Sequence, residues 1–162
     1  MAMDMFLKIE GVKGEAQDDK HKDSIDVLAW SWGMSQSGTM HMGGGGGAGK
    51  VNVQDLSVTK YIDRSSTVLG LFCAGGKQLK TATLTVRKAG GDKPLEYFII
   101  TMHDVIITSL STGGSGGEDR LTENLALNFA KFSVKYQPQK QDGTADGGAL
   151  EYGWNIAKNI KI

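Results

Sequence analysis

The chain has 162 residues, enough for one domain with a real core, and its charge is balanced, with 18 basic and 18 acidic side chains. That balance excludes a global field able to draw in nucleic acid or an anionic membrane. Its single cysteine, Cys73, excludes an internal disulfide and fits synthesis in a reducing compartment.

The opening "MAMDMFLKIEGVKGE" interrupts its apolar residues with Asp4, Lys8 and Glu10, so no secretory signal is read there and cytoplasmic synthesis is expected. No run approaches the roughly 18–20 apolar residues of a membrane helix. Met3, Met5, Leu7 and Ile9 alternate as a strand. After a polar loop, Ile25, Val27 and Ala29 lie on one face of a second strand; Asp26, Leu28, Trp30 and Trp32 lie on the other. Apolar residues on both faces predict cover on both sides. A glycine loop follows, roughly Ser35 to Lys50. Val51 and Val53 then hold one phase, and Leu56 and Val58 the other, which predicts a bulge near Asp55.

"DRSSTVLGLFCAGG" predicts a helix with Asp63, Ser65 or Ser66 as its cap. Its buried stripe is read as Val68, Leu71, Phe72 and Ala74, and Gly75-Gly76 as its stop. "TATLTVRK" is a strand and "AGGDKP" a turn. "LEYFIITMHDVIITSLS" is one long strand, or two, with a kink near His103-Asp104. "TGGSGGED" forms a second glycine loop. Leu125, Leu127 and Phe129, then Phe132, Val134 and Tyr136, alternate with a phase slip at Ala130-Lys131. Leu150, Tyr152, Trp154 and Ile156 make a last strand. Seven to nine strands and one short helix imply an antiparallel sandwich or barrel.

Several motifs invite a chemical reading. Gly44 to Lys50 reads G-x-x-x-x-G-K, but Val51 stands where a phosphate loop needs Ser or Thr, and a strand follows in place of a helix. Gly113 to Gly117 reads G-x-S-x-G, yet no histidine follows Ser115. His21, His41 and His103 lack ligand spacing, so no metal site is read. Glu118, Asp119, Arg120 and Glu123 fit a solvated turn or an inter-subunit ion pair better than general acid/base work. Trp30 and Trp32 could form a stacking platform for sugars or bases, but core or interface packing is the commoner use. No catalytic constellation emerges. Surplus apolar faces point instead to self-assembly.

"IDVLAWSWGMSQSG", "MHMGGGGGAGKVNVQDLSVTKYID", "STGGSGGEDRLTENLALNFA", "YQPQKQDGTADGG" and "YGWNI" resemble the Hcp (haemolysin-coregulated protein) family, whose members build the inner tube of the type VI secretion system. The similarity spans nearly the whole chain. It implies a mainly β fold over residues 1–162 as a single domain. Two packed antiparallel sheets would form a β-barrel, with one short flanking α-helix at about residues 64–75. It implies a non-enzymatic homohexamer without cofactors, whose rings stack into a tube inside a contractile sheath behind a VgrG spike. Effector proteins would ride in the lumen. Export would need no cleaved signal peptide, and the subunit would insert into no membrane by itself. A free ring acting mainly as an effector chaperone is the alternative.

The resemblance also assigns residues. If Trp30 and Trp32 pack between sheets, Ser31 points toward the lumen and its cargo. The ring-stacking loop would comprise Ser37, Thr39, Met40, His41, Met42, Gly43, Gly44, Gly45, Gly46, Gly47, Ala48, Gly49 and Lys50. So much glycine carries a large ordering entropy, so Gly43 to Gly47 are expected to be mobile in an unstacked ring.

Overall fold

Period-two runs rich in β-branched and aromatic residues build strands along most of the chain. A computed structural model describes residues 3–38, 40–41, 49–88 and 94–162. Thr39 and Met42 to Ala48, including the glycines expected to be mobile, lie outside the described residues, as does most of the "AGGDKP" turn. In chain order the elements are β1 (Met3–Ile9), β2 (Ile25–Ser31), β3 (Met34–Ser35), β4 (Asn52–Val53), β5 (Leu56–Tyr61), α1 (Ser65–Gly75), β6 (Gln78–Lys88), β7 (Glu96–Gly113), β8 (Thr122–Tyr136), β9 (Leu150–Asn155) and β10 (Ile160–Lys161).

The main sheet runs β10-β9-β8-β5-β2-β1-β6-β7, and β7 also pairs with β8. That second pairing closes six strands into a barrel, with β9 and β10 as an outer flap. Every pairing is antiparallel. The expected mainly β barrel with one short helix is therefore the fold observed.

A transverse line divides the long strands. In β6 the buried apolar positions step from Leu79 to Ala82; in β7 from Met102 to Val105; in β8 from Phe129 to Phe132. These slips lie side by side, since Thr81 pairs with His103 and His103 with Lys131. Asp104, at φ 55°, supplies the left-handed residue that re-aims β7 there. Neither β7 nor β8 breaks: each runs unbroken through its slip. On one side of the line β8 pairs with β5, and on the other with β9.

Three local expectations need correction. The register of β2 on β5 shifts between Val27 and Ala29, so one extra residue swaps faces. Trp30 therefore points inward with Ile25 and Val27 rather than opposite to them. The slip near Asp55 is not a bulge: β4 pairs only with β3 in a separate ladder, and β5 begins the main-sheet pairing at Leu56. The helix buries Ser65 and Leu69, whereas Leu71, placed in the stripe, is 68% exposed. Its Ncap position is Arg64, with no side-chain cap of its own. Asp63 nonetheless accepts the Ser65 N–H at 2.8 Å, and Ser66 Oγ accepts the Asp63 N–H at 3.0 Å. Gly76, at φ 64°, ends the helix as read.

The loop from Glu10 to Ser24 seals the outer face of β1. Phe6 is buried beneath it, stacked on His21 at 4.5 Å, with the Arg87 guanidinium 5.0 Å from its ring. Arg87 in turn bonds Asp18 from the loop and Asp4 at 3.3 Å. The Arg87 guanidinium, followed by the Lys20 N–H among the favourable partners, holds the Asp18 carboxyl below the usual carboxylate range. A depressed folded pKa gives stability that is present above the unfolded value, about 4, and is lost as pH falls toward the folded one. Asp18→Asn should thus lower the melting temperature at neutral pH and flatten its decline below about pH 4. Thermal melts of both proteins between neutral and acid pH check this. Parallel curves would contradict it.

Candidate functional site: an uncharged strand wall

In the part of the barrel formed by β2, β5, β8 and the C-terminal half of β7 the side chains alternate between faces, with one extra residue in β2 at Leu28 and one in β7 at Thr108. Inward go Val27, Leu56, Val58, Leu125, Leu127, Val105 and Ile107, all buried. Directly opposed residues of antiparallel strands point to the same face. The outward face therefore carries two complete rows. Ser31 pairs with Ser57, Ser57 with Ala126, and Ala126 with Ser109. Two residues along each strand, Ala29 pairs with Thr59, Thr59 with Asn124, and Asn124 with Ser111.

None of these positions is ionisable and none is large. Thr59 donates to Asn124 Oδ1 at 2.8 Å across the row. These two rows are thus small, wettable and free of charge. Asp55 extends the wall at one end, where Thr108 Oγ1 donates to one carboxylate oxygen at 2.7 Å and Asn128 Nδ2 to the other at 2.8 Å. At the other end Tyr61 lies under the Arg120 guanidinium at 3.9 Å.

Ser31 sits in this wall, exposed, because its neighbours turn inward. Trp30 stacks on Phe98 at 5.6 Å and Trp32 meets Phe132 edge-on at 4.9 Å. Both indoles pack against the core, which removes the sugar-platform reading. The sequence reading missed Ser57, Thr59, Ser109, Ser111, Asn124 and Ala126 as companions of Ser31. The available signal was their small size at alternate positions of apolar strands.

Of the loop residues, Ser37, Met40, His41, Gly49 and Lys50 are described, and all are exposed beyond the β3–β4 ladder. Gly49 passes so close to Ser37 that a Cβ would run into the serine hydroxyl. A strand, not a helix, follows Lys50, so the phosphate-loop context is missing. Ser115 lies in the turn joining β7 to β8. The acidic group separates: Glu118 and Asp119 are exposed, whereas Glu123 is buried beside Lys60. His21 Nε2 lies 2.9 Å from Glu96 Oε2. Among the described residues no three His, Cys, Asp or Glu side chains gather as a metal site. No helix among them is long and apolar enough to cross a membrane.

The chain is similar to known proteins over its whole length. A family described as "Type VI secretion system effector, Hcp" matches residues 6–136. Protein hcp1 of Pseudomonas aeruginosa is 65% identical over 161 residues, which cover 99% of each chain. The crystal structure of Hcp1 from Salmonella typhimurium superposes with a TM-score of 0.82 at 40% identity, covering 100% of both chains. A structure described as a type six secretion system protein superposes at 0.92 with 34% identity, covering 99% of this chain and 100% of that one. Such proteins are secreted and are structural rather than enzymatic. The fold, the full-length identity and the family match together make this chain a member of the Hcp family of type VI secretion system proteins.

Proposed function

We propose that the chain is a subunit of the type VI inner tube, and that its uncharged wall lines the lumen of a hexameric ring and carries effector proteins. The observation that carries this reading is that each outermost strand of the wall lacks a ladder partner on one side among the described residues. Beyond Val27, β2 pairs only with β5, and beyond Ile106, β7 pairs only with β8, among the described residues. An unpaired edge is a template for another strand. One edge differs from the other, so joining β7 of one copy to β2 of the next is a heterologous contact, the kind that closes rings.

Four wall strands from each of six copies, at ~4.8 Å per strand, give a circumference of about 115 Å and a bore of about 37 Å. A folded domain of ~100 residues has a radius of gyration of about 13 Å, and so a diameter of about 34 Å, comparable to that bore. The small Ser, Thr, Asn and Ala side chains leave that bore open. With no charge to repel either sign, the wall suits cargoes of differing composition. The reading extends to rings stacking through the Ser37 to Lys50 loop, to a sheath around them and to a VgrG spike at the tip. Assembly in the cytoplasm without a cleaved signal peptide belongs to it as well.

Light scattering and negative-stain microscopy test the ring: the purified chain should run as a hexamer with a central hole. A monomer at every concentration would sink the reading. Ser31→Gln should keep the hexamer while cutting the half-life of a co-expressed cargo several-fold. Unchanged cargo survival would remove the wall's carrying role and leave a purely structural ring.

A further inference from the structure

The segment that leaves the wall for the Ser37 to Lys50 loop has a thin root. Two residue pairs hold β3 to β4, Met34 with Val53 and Ser35 with Asn52. One further backbone bond, from the Gln54 N–H to the Gly33 carbonyl at 2.9 Å, closes the root. Only Gln54 and Asp55 separate this ladder from β5. So short a ladder has little stiffness of its own. Its angle to the wall must be set by what grips the chain at its two legs, one of them Gln54 and Asp55.

We propose that Asp55 is the positioning residue that sets this angle, by tying the β4–β5 junction to two other strands of the wall. This rests on the reading of the Ser37 to Lys50 loop as the joint between rings. Both carboxylate oxygens are used, one by Thr108 on β7 and one by Asn128 on β8. Thr108 lies within the register shift between Ile107 and Ser109, the extra residue that a bulge places out of the regular alternation. A bulge is a device for re-aiming a side chain, and here the re-aimed hydroxyl meets Asp55. The other leg of the root is held by apolar packing, with Trp32 against Phe132. Both legs touch the core, through Trp32 and Val53, and only the β4–β5 leg adds two directional charge-assisted hydrogen bonds, which fix its angle.

Two variants test this from opposite sides of the clamp. Asp55→Ala removes the acceptor, and Thr108→Val removes one donor at nearly constant volume. In each, hydrogen exchange at the Gln54 amide should accelerate about tenfold or more, while amides of β6 keep wild-type protection. Hexamers should persist, but end-to-end stacking at high protein concentration, counted by electron microscopy, should fall several-fold. Unchanged Gln54 exchange in both variants overturns the clamp. Faster exchange with wild-type stacking overturns its positioning role. Wild-type rings that never stack would instead refute the joint reading, and the exchange comparison would still decide on the clamp.

Discussion

Replacing Lys60 with methionine should destabilise the protein by about 3–5 kcal/mol, because it strands a buried carboxylate. Lys60 and Glu123 are wholly buried register partners on β5 and β8, and their side chains form an ion pair inside the barrel. Lys60 Nζ also donates to the Tyr61 carbonyl at 2.9 Å and to Ser66 Oγ at 3.2 Å, and lies 3.2 Å from Asp63 Oδ1. Ser66 Oγ in turn donates to Glu123 Oε1 at 2.6 Å. The network joins the first turn of α1 to two wall strands. Glu123 Oε2 has no partner among the described residues, so Lys60 is the main compensation for its charge. Glu123→Leu in the Lys60→Met background should recover most of the loss, since the carboxylate that then remains without the lysine, Asp63, keeps its hydrogen bonds from the Ser65 N–H and hydroxyl. Urea unfolding of the two singles and the double measures this as a cycle. A double variant as unstable as Lys60→Met would mean that packing of the lysine stem, not the carboxylate, dominates.

Much of the barrel was legible, and the reasons it was partly misread are local. The slips at His103-Asp104 and Ala130-Lys131 were visible as breaks in alternation. That they lie opposite each other, with a third in β6, depends on register between distant strands. The buried ion pair was half visible. Lys60 continues the phase of Leu56 and Val58, and Glu123 that of Leu125, Leu127 and Phe129. A charge in an apolar phase reads as a strand end until its partner is known to be opposite. The β2 shift at Leu28 escaped because apolar residues continue on both phases through it, which hides the change of face. For the candidate site, the resemblance singles out Ser31, and the two tryptophans indicate the exposed orientation it has. The rest of the wall needed the pairings, since a single serine or alanine carries no signal. β10, two residues long, has too little pattern to be seen at all.

Phe132→Ala should destabilise the protein by about 3–5 kcal/mol, the range for truncating a large buried aromatic. Phe132 is fully buried at the first position past the transverse line. Its ring meets Trp32 at 4.9 Å, Phe129 at 6.1 Å and Tyr152 at 6.1 Å, all edge-on. Three elements thus lean on one side chain: the chain just past β2, β8 itself and the β9 flap. Phe132→Leu fills part of the volume but lacks the edge-to-face geometry, so a smaller loss is expected. The two variants separate bulk from geometry through Trp32. If the ring positions Trp32, indole fluorescence should shift toward that of a solvated tryptophan in both variants under native conditions, more so for alanine. A stability loss with no change in emission would mean that Phe132 only fills space. Release of Trp32 would also free the apolar leg of the β3–β4 root and the end of β2 that carries Ser31. A core residue outside the wall would then govern both the wall and the β3–β4 root.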